Sequence, residues 1–170
     1  MKGTKRLAVL AMFTAIALTI FVAEAQIPPV VPILGVKLGL ANIVTLIAMA
    51  LLGRRQAGEI LLVRIVLGSM FTGGVSAMLF SIAGGVFAYL VMCLTIHRFP
   101  ERLLWVVSVL AAFGHNAGQL LVAVWVTGTP SILVYAPALV AASVITGAFT
   151  GVAAMYLVRA LRKTGHFPQV

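Results

Sequence analysis

The sequence predicts an all-α integral membrane protein with six transmembrane helices and both termini in the cytoplasm. Of its 170 residues, 62% are hydrophobic and 9% are charged, whereas soluble domains carry about 25% charged residues. Ten of the twelve Lys and Arg residues fall in four clusters: Lys2, Lys5 and Arg6; Arg54 and Arg55; Arg98 and Arg102; and Arg159, Arg162 and Lys163. If the N-terminus is cytoplasmic, all four clusters lie on the cytoplasmic side, where short loops are enriched in Lys and Arg.

Apolar runs bounded by charged residues, proline or glycine define the predicted spans, because a spanning helix needs roughly 20 apolar residues. The first span covers residues 7–23. An irregular outer segment, residues 24–37, follows it, since clustered proline and glycine do not continue a helix. The other spans are predicted at residues 38–52, 57–71, 75–96, 103–126 and 132–157, all within one domain.

The N-terminal segment has some features of a secretion signal, namely a basic start, an apolar run and the sequence Ala-Glu-Ala at residues 23–25. Its apolar run is longer than the about 7–15 apolar residues that are typical of a signal peptide. Removing it would also leave five spans and place the two ends on opposite sides of the membrane. We therefore expect the segment to be retained as the first span.

Few side chains in this sequence suit catalysis or metal binding. Aspartate is absent, the only carboxylates are Glu24, Glu59 and Glu101, and Cys93 is the single cysteine. Magnesium sites and acid–base catalysis usually need clustered carboxylates. We therefore expect no enzymatic activity, no metal and no cofactor. The net charge of the chain is +9, and its basic clusters alternate with apolar spans. This pattern indicates contact with anionic lipid headgroups of the bilayer and not with nucleic acid.

Three charged residues stand apart from the four basic clusters and are candidates for function. Arg64 lies about 10 Å into the third span at 1.5 Å per residue, and a buried guanidinium in a membrane is a functional candidate. Alternatively, it extends to the cytosolic headgroups or binds free backbone carbonyls. Glu24 and Lys37 lie at the two ends of the outer segment, where they either pair with each other or bind the polar part of a ligand.

The fifth span contains the densest group of polar residues, His115, Asn116 and Gln119. His115 and Gln119 share a helix face because they are four residues apart. Amide and imidazole groups inside a membrane need hydrogen-bond partners. Neighbouring helices can supply these partners, but three such residues within five positions favour the lining of a cavity.

Small residues recur at the spacing that lets transmembrane helices approach closely. Ala11 and Ala15 give the first helix a smooth face, which either packs within the bundle or binds a partner membrane protein. The same four-residue spacing occurs in three glycine pairs, Gly35/Gly39, Gly114/Gly118 and Gly147/Gly151.

The sequence G-V-K-L-G-L-A-N at residues 35–42 resembles the G-x-K-L-G-L-A-N signature of the Gx transporter family, also called heptaprenyl diphosphate synthase component I. Arg64 with Gly68, S-I-A-G-G at residues 81–85 and H-N-A-G-Q at residues 115–119 resemble its other recurring blocks, in the same order. The resemblance covers residues 7–157.

That family in turn resembles the substrate-binding S components of energy-coupling factor transporters. The resemblance implies a six-helix bundle in a bacterial plasma membrane that captures a vitamin or similar small molecule at the outer side. It also implies docking on a transmembrane coupling subunit driven by two ATPases. The S components carry an alanine-x-x-x-alanine docking motif in their first helix, which Ala11 and Ala15 match.

The resemblance also leaves two alternatives open. The name of the family suggests a membrane partner in isoprenoid or quinone synthesis, and this partner would be non-catalytic because polyprenyl diphosphate synthases hold magnesium with aspartate-rich motifs. The other alternative is a fixed membrane element of an electron-transfer assembly. The class of substrate also stays open between a zwitterion, an anion, a neutral vitamin and a molecule with a lipid-like tail.

The combined prediction is a pocket in the outer half of the bundle. Amide and hydroxyl groups would donate and accept hydrogen bonds, His115 would add a titratable contact, and the outer segment would gate the pocket. Arg64 would attract an anionic group or lock a closed state. The predicted substrate-binding residues are Glu24, Lys37, Asn42, Arg64, Ser81, His115, Asn116 and Gln119.

Overall fold

The computed structural model describes residues 3–27, 37–72, 74–165 and 167, and these residues form α-helices and short 3₁₀ turns without any strand. The all-α prediction is therefore confirmed for this part of the chain. The helices are α1 (Gly3–Glu24), α2 (Asn42–Leu52), α3 (Arg54–Thr72), α4 (Gly74–Thr95), α5 (Leu104–Thr127) and α6 (Ala136–Lys163). The 3₁₀ turns Glu101–Leu103 and Pro130–Tyr135 lead into α5 and α6.

Among the residues that the structure describes, four segments are long and apolar enough to cross a membrane. They are Gly3–Glu24, Val75–Thr95, Glu101–Thr127 and Pro130–Lys163, with a mean hydropathy of 1.5 to 2.2. The other two helices differ from them. The 11 residues of α2 extend about 16 Å, roughly half the hydrocarbon thickness, and α3 carries the charges of its basic start and of Arg64. The protein is thus a multi-pass membrane protein.

The largest departure from the predicted spans concerns the second helix, which begins at Asn42 and not at residue 38. Gly39 has a φ of 78°, a left-handed conformation that interrupts the helix and that glycine adopts without strain. Gly53, with a φ of 98°, ends α2 and connects it to α3 through a single residue. The last helix also differs, because residues 130–135 form the 3₁₀ turn and α6 continues to Lys163.

Glycines bring the backbones of α4, α5 and α6 into direct contact. A Cβ atom at Gly118 of α5 would lie 2.6 Å from the carbonyl oxygen of Ala83 in α4. A Cβ atom at Gly151 of α6 would lie 2.4 Å from the Cα of Trp105 in α5. The predicted small-residue spacing in α5 and α6 therefore serves close packing inside the bundle.

Ion pairs connect several helices at one end of the bundle, which we call the basic end. Arg6 of α1 pairs with Glu59 of α3 at 3.0 Å, and Arg159 of α6 lies 3.8 Å from Glu101. Arg162 also pairs with Glu101 and donates a hydrogen bond to the carbonyl of Ala50 in α2 at 3.1 Å. Residues of α1, α2, α3 and α6 thus meet at the same end.

Enlarging Gly118 tests whether this close packing stabilises the bundle. We expect Gly118→Ala to lower the free energy of unfolding by about 1–3 kcal/mol, because the added methyl group would overlap the backbone of Ala83. The measurement is thermal unfolding of the purified protein in detergent. Gly3→Ala is the matched control, since a Cβ atom there meets nothing within 4 Å. Equal unfolding temperatures for the two variants would contradict the packing described.

Candidate binding site

The carboxylate of Glu24 closes the N-terminal end of α2. Glu24 is the last residue of α1 and is only 4% exposed. Its Oε1 accepts a hydrogen bond from the backbone N–H of Gly39, and its Oε2 accepts one from Ala41 at 3.4 Å. These two N–H groups belong to the turn at residues 39–41, whose carbonyls accept hydrogen bonds from the first N–H groups of α2, and a negative charge is favourable at the start of a helix. Glu24 therefore ties the end of α1 to the start of α2.

Asn42, the first residue of α2, connects α2 to α3 and α5. Its Oδ1 accepts a hydrogen bond from Nη2 of Arg64 at 3.4 Å, and its Nδ2 lies 3.1 Å from Nδ1 of His115. All three side chains are buried. The guanidinium of Arg64 is thus turned into the bundle, and the alternative in which it extends to the headgroups does not match the structure.

The hydrogen bonds of Asn42 also define the state of His115. Arginine can only donate, so the amide oxygen of Asn42 faces Arg64 and the amide nitrogen faces the imidazole. Nδ1 of His115 then accepts this hydrogen bond and carries no proton. The imidazole is therefore neutral, with its proton on Nε2.

Lys37 contributes its backbone and its ammonium group in different ways. Its backbone N–H donates to Oε1 of Gln119 at 3.1 Å. Its Nζ lies 3.8 Å from the ring centroid of Phe21 on α1, and Cζ of Arg64 lies 5.4 Å from the same centroid. Glu24 and Lys37 form no direct ion pair, because the carboxylate binds backbone amides and the ammonium faces a ring.

Two glycines enclose the ring of His115. A Cβ atom at Gly39 would lie 2.7 Å from Cδ2 of the imidazole, and one at Gly84 of α4 would lie 2.6 Å from Cε1. Larger residues at either position would displace the ring. The glycines of two separate sequence blocks, residues 35–42 and 81–85, thus enclose the histidine of the block at residues 115–119.

Two predicted site residues lie apart from this group. Asn116 faces α6, where its Nδ2 donates to the carbonyl of Leu139 at 3.1 Å and to Oγ of Ser143 at 2.7 Å. Ser81 is buried on α4, but the structure gives it no hydrogen bond to another predicted site residue. We define the polar cluster as the remaining members together with the ring that sequence analysis missed: Glu24, Phe21, Lys37, Asn42, Arg64, His115 and Gln119.

The polar cluster is closely packed. A cavity beside it, lined by Gly39, Asn42, Met92, Ser108 and Thr150 among others, has a volume of about 10 Å³, which is room for about one water molecule. Residues 28–36 of the predicted outer segment lie outside the described residues.

The predicted docking residues lie on the exposed side of α1. Ala11 and Ala15 are exposed and line a groove of about 510 Å³ between α1 and α3, together with Val63 and Leu67. We call this surface the α1–α3 groove. Glu59 lies at its basic end, where it pairs with Arg6. The groove is lined mostly by apolar side chains, and the small side chains of Ala11 and Ala15 leave the backbone of α1 accessible there.

Within the part of the chain that the structure describes, no group of three His, Cys, Asp or Glu side chains could hold a metal ion. Glu59 and Glu101 are paired with arginines at the basic end. Cys93 is a free thiol on α4. The chemistry that this arrangement supports is binding through charges and hydrogen bonds.

Comparison with known proteins gives one finding. A family model described as heptaprenyl diphosphate synthase component I matches residues 13–157, which include every residue of the polar cluster. No curated protein and no solved structure shows significant similarity to the chain.

Removing the carboxylate of Glu24 tests its structural role. We expect Glu24→Ala to lower the free energy of unfolding by about 1–3 kcal/mol, because buried amide groups at the start of α2 would lose their acceptor. Glu24→Gln keeps one acceptor oxygen and should lose less. The control is Glu59→Ala, whose ion pairs at partly exposed side chains contribute about 0.2–1 kcal/mol. Thermal unfolding in detergent measures all three, and a loss for Glu24→Ala no larger than that for Glu59→Ala would refute the capping role.

Proposed function

We propose that this chain, which belongs to the heptaprenyl diphosphate synthase component I family, is the substrate-binding membrane subunit of an energy-coupling-factor-type transporter. It captures a small molecule, a vitamin or a related compound, at the outer side of a bacterial plasma membrane. The observation that carries this proposal is the polar cluster. Buried charges and amides from α1, α2, α3 and α5 meet there, at the start of a helix that is too short to span the membrane alone.

The proposed topology places the polar cluster in the outer half of the membrane. The basic end faces the cytoplasm because Lys and Arg are enriched on that side. Both termini then lie in the cytoplasm, and α2 and α3 complete six passes, with the non-helical chain at 38–41 continuing the second pass. Arg64 lies about 15 Å from the start of α3, so the cluster lies roughly at mid-depth or beyond it toward the outside.

The interrupted second pass is what supports a role in substrate binding. Secondary transporters bind substrates near the bilayer midplane at the ends of interrupted helices, where backbone amides and carbonyls are accessible. In this chain the interruption lies at Gly39, and the amides that it frees are bound by Glu24. Buried ionisable residues in a membrane generally mark a substrate or ion pathway.

The α1–α3 groove is the proposed contact with the coupling subunit. Helices in a membrane associate through small residues that allow close backbone approach. Ala11 and Ala15 are exposed in the groove, and residues of the opposite face of α1, such as Phe13 and Ala17, are buried in the bundle. The coupling subunit would carry two ATPases on the cytoplasmic side.

The family description supports a second candidate function, a membrane partner in isoprenoid or quinone synthesis. Such a partner would be non-catalytic, because the chain has no aspartate and two of its three glutamates pair with arginines at the basic end. The exposed α1–α3 groove would then bind a membrane-associated synthase or an electron-transfer protein.

Purification of the tagged protein from its native membranes in mild detergent tests the proposed function, with mass spectrometry of the co-eluting proteins. We expect a coupling subunit and two ATPases. Ala11→Trp and Ala15→Trp should abolish their recovery, because an indole would fill the groove. Ile145→Trp is the matched control, since Ile145 is 71% exposed on α6, far from the groove in sequence and on another helix.

Two outcomes would contradict the proposal. A soluble prenyl synthase or an electron-transfer protein that co-elutes without any ATPase would support the second candidate function. Unchanged recovery of the ATPases with both tryptophan variants would exclude the α1–α3 groove as the docking surface.

A further inference from the structure

The polar cluster carries more positive than negative charge. Arg64 and Lys37 are cationic, Glu24 is anionic, and His115 is neutral because its Nδ1 accepts a hydrogen bond from Asn42. The remaining members, Asn42, Gln119 and Phe21, carry no charge. Of the four ion pairs formed by described residues, none includes a member of the cluster. One positive charge in this buried region is therefore not balanced.

Glu24 cannot neutralise both cations from its position. Its two oxygens accept hydrogen bonds from the backbone at the start of α2, so moving it toward Lys37 or Arg64 would leave buried amide groups without an acceptor. A single carboxylate also balances only one of the two cations. The second negative charge has to come from outside the described chain.

The two cationic side chains of the cluster have donors without an acceptor among the described residues. Nζ of Lys37 and Nε of Arg64 are both buried and make no hydrogen bond there. Arg64 is only 3% exposed. The two cationic groups lie near the same ring, that of Phe21. An aromatic ring attracts a cation weakly but accepts no strong hydrogen bond. The free donors and the excess positive charge therefore both lie beside Phe21, and the ring satisfies neither of them.

From these observations we infer that the molecule captured by this chain carries an oxyanion group, a carboxylate or a phosphate, that binds between Lys37 and Arg64 beside the ring of Phe21. This inference rests on the proposed function and names the class of its substrate. An oxyanion supplies both the missing charge and acceptors for the free donors, and arginine binds such groups with two parallel hydrogen bonds. A cation would add to the existing excess of positive charge, and a neutral molecule would leave that excess unbalanced.

The test uses the purified full-length protein in neutral detergent at constant ionic strength. Sodium acetate and inorganic phosphate are the probes, and acetamide and tetramethylammonium chloride are the neutral and cationic controls. We expect at least one of the two anions to raise the thermal unfolding temperature in a saturable manner, with no effect of either control. The concentration dependence of the shift gives an apparent Kd.

Substitutions locate the effect. Lys37→Met keeps the apolar stem over Phe21 and removes the charge, so it should weaken anion binding at least tenfold, while Lys37→Arg should retain it. Lys163→Met, which removes an exposed cation at the basic end, should bind as the unaltered protein does. Glu24→Gln should bind the anion more tightly, because it removes the only negative charge of the cluster and keeps an acceptor for the amides.

The outcomes are distinguishable. Saturable stabilisation that is lost in Lys37→Met alone supports the inference. Absence of stabilisation by either anion, or equal stabilisation of Lys37→Met and Lys163→Met, would overturn it, and so would tighter binding of acetamide than of acetate. Even if a variant does not fold, the unfolding temperatures of the unsubstituted protein with the anionic and the neutral probes still test the inference.

A further arm separates a soluble anion from a lipid headgroup. Protein in bilayers of phosphatidylglycerol is compared with protein in bilayers of phosphatidylcholine. Stabilisation by phosphatidylglycerol without any effect of acetate or phosphate would overturn the inference that the oxyanion belongs to a captured molecule. The proposed function is tested separately, because it would be contradicted if no ATPase co-purified. That result would not change whether the purified chain binds anions.

Discussion

Glu24 provides acceptors for backbone amides of the turn at residues 39–41, which leads into α2, and the geometry of the polar cluster depends on this interaction. Buried backbone amides need acceptors from the protein wherever water cannot reach them. Because the carboxylate comes from the end of α1, α2 can begin at Asn42, inside the bundle. Asn42 in turn sets the positions of Arg64 and His115 through its amide group.

The same interaction explains why the cluster stays positively charged. A carboxylate that binds backbone amides is held away from the cations, which face the ring of Phe21 instead. Glycines at positions 39 and 84 make this arrangement possible, since they let the backbone of two segments contact the ring of His115. An interrupted helix, an excess of positive charge and donors without acceptors among the described residues are the features that support the proposed binding site.

The sequence predicted much of the fold, because apolar runs and basic clusters directly reflect the thickness and sidedness of a membrane. It also predicted most members of the polar cluster, because a charge or an amide inside an apolar span is conspicuous. The partner of Glu24 could not be predicted, since backbone amides leave no mark in a sequence and Lys37 was the visible opposite charge. Phe21 is one of nine phenylalanines and has no distinguishing neighbour. The sequence could not show that Asn116 faces α6 while His115 faces α2, because adjacent residues of a helix point about 100° apart and the pattern does not show which neighbouring helix each one meets.

Native mass spectrometry of the protein released from its own membranes shows directly whether the polar cluster binds a captured molecule. We expect a small acidic molecule bound to the unaltered protein and to Lys163→Met, and its absence from Lys37→Met. A protein that carries no small molecule in any of the three forms, or the same molecule in equal amounts in all of them, would contradict this expectation.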